Sequence, residues 1–264
     1  MKFMEYLDLL QKKTALSNGL FNVPAQTFYE SKINKLTGSY TVAWRDKGEE
    51  HSHKASLRIT DFEGYRINPS SFKYLLPAIT TYLQAKKSYI IERPVPFIVY
   101  EAINFMNDIL KPGKKVLEFG SGNSTLWFLE KKCDVTSIEH DTLWYKTVND
   151  YAQSASFDKQ VMDQFSFQNT QKEATWALLD KAENESFDLI LVDGSNDFNN
   201  RNECIEKSIS KLKKGGWMVL DNSDHPNNWP GGLHMDSLYK RVRFTGFTPM
   251  GLYISQTSFW QKID

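Results

Sequence analysis

The spacing of apolar residues changes character several times along the chain. Residues 2–16 place Phe3, Tyr6, Leu7, Leu10 and Leu16 near one helical face, and the pattern stops at Ser17-Asn18-Gly19. From there to Pro69 no single period holds, and the polar run from Arg45 to Lys54 reads as a solvated loop or a hairpin tip. Helical spacing returns after Asn68-Pro69-Ser70-Ser71. It runs through Phe72, Leu75, Leu76, Ile79 and Leu83 to Lys86-Lys87, with Pro77 as a point of kinking or restart. A second stripe follows Arg93-Pro94-Val95-Pro96 and ends at Pro112-Gly113. Its Phe97, Ile98, Ala102, Phe105, Met106, Ile109 and Leu110 form a core face, expected beside the first strand that comes next.

After Gly113, short apolar runs alternate with helical patterns. Strands are predicted at 115–119, 134–138, 165–168, 187–192 and 217–220, and helices near 124–132, 141–153, 172–182 and 199–212. Such alternation gives a parallel sheet with helices on both faces. The tail departs from it. Tyr239 to Trp260 is two extended runs joined around Gly246 to Gly251, and without a crossover helix they must be antiparallel neighbours. The predicted fold class is α/β: a doubly wound, Rossmann-like, mostly parallel seven-stranded sheet with an antiparallel C-terminal hairpin. A helical or mixed segment, residues 1–92, precedes the sheet domain, 93–264, as a cap or substrate-recognition element.

Composition narrows the partners. The 264 residues carry 32 basic and 32 acidic side chains, a formal net charge of +0. Nucleic acid is not expected, because a phosphate backbone is met by a basic excess or stripe. The only cysteines, Cys133 and Cys204, have no metal-ligand spacing, so a disulfide or zinc site is not expected and a reducing compartment is. The N-terminus carries acids within its apolar pattern, unlike a signal peptide, and no apolar run approaches the roughly 18 residues of a membrane span. A cytoplasmic protein without membrane contact is the expectation; composition does not fix its oligomeric state.

Chemistry concentrates where the first predicted strand ends. Lys115 to Phe119 is an apolar run interrupted by Glu118. Gly120 and Gly122 then make a turn, and Asn123-Ser124-Thr125 opens a helix. Glycines let a ligand reach the backbone, and the free N–H groups of a helix start attract negative or polar atoms. A dinucleotide turn would want a third glycine three residues after the second, where this chain has Thr125. The run Glu118-Phe119-Gly120-Ser121-Gly122 instead resembles motif I of the class I S-adenosylmethionine-dependent methyltransferases, acid-x-Gly-x-Gly. The order of elements from 93 to 264 resembles that family too, down to the antiparallel hairpin.

The resemblance implies S-adenosyl-L-methionine as methyl donor and roles for particular residues. Glu118 would meet the donor's amino-acid end, Gly120 and Gly122 its close approach, and Ser121, Asn123 and Ser124 would supply hydrogen bonds. Glu139, ending the second strand in Ile138-Glu139-His140-Asp141, would bind both ribose hydroxyls; the plainer alternative is a surface acid beside an Asp141 helix cap. Adenine would lie at the loop 168–171, without an assignable residue. Asp193, after the fourth strand, and Asp221-Asn222, after the fifth, resemble the metal triad of cation-dependent O-methyltransferases. Mg2+ there would activate an acceptor hydroxyl. Without a metal, Asp193 would line the site and His225 would be general base or a solvated loop residue.

Other residues take supporting parts. Arg201 would anchor the Val-Asp-Gly loop or lie on a helix surface. Lys213-Lys214-Gly215-Gly216 would turn before the fifth strand, and Trp229-Pro230-Gly231-Gly232 would sit in a long mobile loop. The implied activity is methyl transfer to a small-molecule acceptor, at oxygen. The alternatives are an NAD-dependent oxidoreductase and a non-catalytic methyltransferase-like binding module.

Overall fold

The computed structural model describes residues 27–33, 40–46, 49–55, 61, 63, 65–85, 91, 94–170, 172–194, 201–250 and 254–263. The helix expected over 2–16 and the segment 195–200 lie outside the described residues. Strands β1 (Thr27–Ile33), β2 (Tyr40–Asp46) and β3 (Glu49–Ala55) form an antiparallel sheet in that order. The polar run 45–54 therefore belongs to a hairpin, with Arg45 opposite Glu50 and Asp46 opposite Glu49. Residues 49–54 contain no apolar side chain, so alternation could not reveal the strand.

Pro69–Tyr74 is a 3-10 turn capped by the Asn68 side chain, which accepts from the Ser70 N–H at 3.1 Å, and it leads into α1 (Leu75–Ala85). Pro77 lies in the first turn of α1, where its missing N–H is one the helix leaves unpaired in any case. The next predicted stripe forms α2 (Tyr100–Ile109). Its Phe105 meets Trp217 and Phe259 edge-on, each at 5.0 Å between ring centroids. This helix thus reaches the antiparallel end of the large sheet.

That sheet is built from β4 (Lys115–Phe119), β5 (Asp134–Glu139), β6 (Ser166–Asn169), β7 (Phe187–Val192), β8 (Leu212–Asp221), β9 (Arg241–Phe247) and β10 (Ile254–Gln261). The order is β6-β5-β4-β7-β8-β10-β9. The strands from β6 to β8 are mutually parallel, and β10 runs antiparallel to both β8 and β9. Helices α3 (Asn123–Glu130), α4 (Thr142–Ser154), α5 (Lys159–Gln164), α6 (Lys172–Lys181), α7 (Arg201–Ser208) and α8 (Trp229–Leu238) complete it.

Two cores follow from the alternation of side chains along the strands. Val116, Val135, Leu189, Leu191 and Val219 share one core with α2 and α3, while Leu117, Phe119, Ile138, Ile190, Val192 and Leu220 face the other. The chain leaves β4 toward β5 and β6, then returns to β7 on the opposite side of β4. The crevice at the carboxyl ends of β4 and β7 is therefore the topological switch point, where open α/β sheets bind ligands.

The structure corrects two expectations here. The fifth parallel strand begins at Leu212, and Lys213-Lys214-Gly215-Gly216 is a bulge within it: Phe187 pairs with Leu212, Leu189 with Trp217. Gly215 takes φ +79°, which suits glycine. Trp229-Pro230-Gly231-Gly232 is the start of α8, not a loop. Proline is welcome in a first helical turn, and Gly231 lets α8 approach α7, since a Cβ there would lie 2.7 Å from Asn202 Oδ1. The short helix α5 was not among the predicted elements, although Asp158 caps it by accepting from Gln160 N at 3.0 Å.

Candidate active site

At the end of β4, Glu118 is fully buried on the face covered by α3. Its Oε2 accepts hydrogen bonds from Thr125 Oγ1 at 2.5 Å and Ser137 Oγ at 2.7 Å. Oε1 is equally buried and accepts none. Burial pushes the carboxyl up to about 7, the hydroxyls of Ser124, Ser137 and Thr125 oppose the rise, and the charge of Asp193 adds to it. Thr125, which argued against a dinucleotide, has its own task. While donating to Glu118 it accepts from the Gly122 N–H at 2.9 Å, tying the acid to the glycine turn.

The two glycines of that turn serve different ends. Gly120 has φ +89°, and a Cβ on it would lie 2.5 Å from Gly194 Cα. Its turn and the one after β7 thus close on each other across the switch point, and the Asp193 N–H donates to Phe119 O at 3.0 Å. A Cβ on Gly122 would make only ordinary contact with Trp144, at 3.7 Å. Trp144 braces the turn by donating from Nε1 to Ser121 O at 2.8 Å.

Glu139 is also buried, and the chain's own donors surround it. Oε2 accepts from Ser121 N at 3.0 Å and Ser121 Oγ at 3.1 Å; Oε1 accepts from the N–H groups of His140 and Asp141, both at 2.8 Å. Asp141 is the cap of α4, accepting from Trp144 N at 2.9 Å. The carboxylate is thus fastened to the glycine turn, and a ribose hydroxyl would have to take the place of the Ser121 hydroxyl. The loop after β6 joins the same cluster: Asn169 Nδ2 and Thr170 N both donate to Glu139 O at 3.0 Å. Asn123 and Ser124 are buried in the first turn of α3.

Across the switch point the structure brings Asp193, Asp221 and Asn222 together, around Arg201. This arginine, the first residue of α7, is buried, not on a helix surface. Its Nε donates to Gly194 O at 2.8 Å. Nη1 reaches Asp221 O and, at 3.2 Å, Asn222 Oδ1; Nη2 reaches Asp193 Oδ1 at 3.2 Å and Asp193 O at 3.3 Å. Asp221 Oδ1 accepts from Thr257 Oγ1 at 2.7 Å, and Asn222, at φ +47°, donates from Nδ2 to Ser255 Oγ at 3.0 Å. Burial raises both acids; Arg201 opposes the rise at Asp193, while at Asp221 the Asp193 charge adds to it.

A divalent cation does not fit this set as arranged. Mg2+ needs oxygens at about 2.0–2.1 Å in near-octahedral array, and here guanidinium nitrogens already hold the Asp193 and Asn222 oxygens. His225 lies in the turn after β8, its N–H donating to Asn222 O at 2.8 Å. Its Nδ1 accepts from the Asn227 N–H at 3.3 Å, so a neutral imidazole carries its proton on Nε2.

The mostly parallel seven-stranded sheet with its antiparallel end, and the acid and glycine turn at its switch point, are the arrangement expected from the resemblance of the sequence to motif I. Within the chain, residues 117–223 match the model of a family described as a methyltransferase domain. Solved structures that share the fold include two methyltransferases. An O-methyltransferase from Bacillus cereus, in complex with SAH, is similar at a TM-score of 0.51 and 14% identity, over 74% of this chain and 92% of that one. A methyltransferase from Geobacter sulfurreducens is similar at 0.50 and 13%, over 75% and 98%. Comparison with curated proteins found no match. No helix among the described residues is long and apolar enough to cross a membrane.

Proposed function

We propose that this chain transfers a methyl group from S-adenosylmethionine to an oxygen of a small-molecule acceptor. The observation that carries this is Glu118: a carboxylate with one buried, unbonded oxygen, set against the glycine turn at the switch point. A cationic ammonium is the partner such an oxygen lacks, and the donor's amino-acid end provides one. The glycine turn meets the donor, with Ser121, Asn123 and Ser124 around it, and Glu139 takes the ribose by exchanging its Ser121 hydroxyl bond.

Bound S-adenosylmethionine supplies an electrophilic methyl for in-line displacement. The chain's part is to orient the acceptor and remove its proton. Asp193 suits that task, since its side chain is 22% exposed whereas Asp221 is buried at 2%. Burial makes its carboxylate a stronger base than an ordinary aspartate. His225 is a weaker candidate, because its Nδ1 is already engaged. Residues 93–264 form the methyltransferase domain in this proposal, and the segment 1–92 recognises the acceptor.

Titration calorimetry with S-adenosylhomocysteine and with NAD tests the proposal. Micromolar binding of the former, about 8 kcal/mol, with none of NAD, is the expected result. Binding of NAD alone, or of neither, would overturn it. Asp193→Asn should keep that binding and lose turnover once an acceptor is found.

A further inference from the structure

We propose that Arg201 is the built-in cation of the acceptor site, holding Asp193 and Asn222 where a divalent metal would otherwise hold them. The inference rests on the methyltransferase assignment, and it concerns how the acceptor half of the site is organised. The guanidinium donates to five acceptors: the carbonyl oxygens of Gly194, Asp221 and Asp193, and the side-chain oxygens Asp193 Oδ1 and Asn222 Oδ1. These come from the ends of two neighbouring strands, β7 and β8. One planar group therefore fixes both strand ends at the crevice and sets the direction of the Asp193 carboxylate.

Charge supports the same assignment. The guanidinium carries a permanent positive charge beside two acids, Asp193 and Asp221. A metal entering among them would have to separate Nη1 from Asn222 and Nη2 from Asp193, and would then face the displaced arginine at short range. The position of Arg201 in its helix points the same way. A cation at a helix N-terminus opposes the helix dipole, so α7 gains nothing from it. The carbonyls and acids at the ends of β7 and β8 are what compensate.

Removing the guanidinium gives a test that a merely structural arginine would not answer. Arg201→Met leaves two carboxylates and an amide oxygen without a cation, a set suited to a hard metal ion. Binding of Mn2+ can be followed by the loss of its free-ion electron paramagnetic resonance signal. The wild-type protein should leave millimolar Mn2+ essentially free, Arg201→Lys should do the same because it keeps the charge, and Arg201→Met should bind one Mn2+ at least tenfold more tightly than wild type. Adding Asp193→Asn to Arg201→Met should abolish that binding.

Stoichiometric micromolar Mn2+ binding by the wild type, lost in Asp193→Asn, would overturn the proposal. So would a folded Arg201→Met that gains no affinity. If Arg201→Met does not fold, the wild-type and Asp193→Asn titrations still decide, because the proposal requires neither to bind. S-adenosylhomocysteine calorimetry on the same samples separates the two levels of inference: its failure strikes the methyltransferase assignment, while the Mn2+ result bears on Arg201 alone.

Discussion

Replacing Glu118 with glutamine separates the two states of this buried acid. In the folded chain its pKa is raised from 4.5 to about 7. The folded protein therefore holds a proton between those values that the unfolded chain has released. The sign follows: the contribution to stability is fully present below about 4.5 and is lost as pH rises through about 7. A shift of that size corresponds to about 3 kcal/mol, of which about 2–3 kcal/mol falls between pH 5 and pH 8. Glutamine mimics the protonated form and has no such dependence. The variant should match wild type at pH 5 and exceed it at pH 8 by about 2–3 kcal/mol, or about 5–10 °C in Tm. The difference between the two proteins isolates Glu118 from Asp193 and Asp221, which titrate in both. Urea unfolding at the two pH values is the assay. A ligand arm completes it: an ammonium beside Oε1 favours the carboxylate, so S-adenosylhomocysteine should bind wild type more tightly at pH 8 than at pH 6 and bind the variant poorly at both. Equal pH dependence in the two proteins would refute the buried-acid account.

Other substitutions probe the same site. Gly120→Ala puts a methyl 2.5 Å from Gly194 Cα at a positive φ, and should destabilise the protein by about 3 kcal/mol or more in thermal unfolding. Gly122→Ala meets only ordinary contacts, so its stability should change by less than about 1 kcal/mol while calorimetry shows S-adenosylhomocysteine binding weakened at least tenfold. Trp144→Phe loses the bond to Ser121 O, about 1 kcal/mol, and should weaken that ligand about fivefold. With an acceptor in hand, kcat/KM should rise with pH through an apparent pKa above the ordinary aspartate value, as Asp193 ionises, and Asp193→Asn should flatten the profile.

The parallel strands were legible because their apolar runs are short, bounded and separated by helical periods. The start of β8 was hidden, since two lysines and two glycines at its bulge read as a turn. α8 was hidden by Pro230, Gly231 and Gly232, which read as loop residues although the prolines of first turns and the glycines of close helix contacts look the same in a sequence. In the site, the acid and glycine pattern located Glu118 and Gly120, but nothing in it distinguished a glycine needed for close packing from one that makes only ordinary contacts. Gly194, the reason for Gly120, lies more than 70 residues further along. Arg201 allows two readings from sequence, an anchor of the Val-Asp-Gly loop or a helix-surface residue, and its bonds to Gly194 O and Asp193 Oδ1 select the anchor. One signal was available, a cation at the unfavourable end of that helix. Its acceptors come from two strand ends that only the fold brings together.

The order of strands has a consequence for synthesis. β10 lies between β8 and β9, so a strand made late in the sequence occupies an interior place. Until residues 254–261 emerge from the ribosome, β8 and β9 cannot be joined, and each offers a bare row of backbone donors and acceptors. Such rows are templates for pairing with other chains. A nascent chain halted before residue 254 would carry two of them, one beside Asp221 and Asn222 at the end of β8. Nonsense mutations in this short stretch should therefore produce aggregates, not merely a less stable protein.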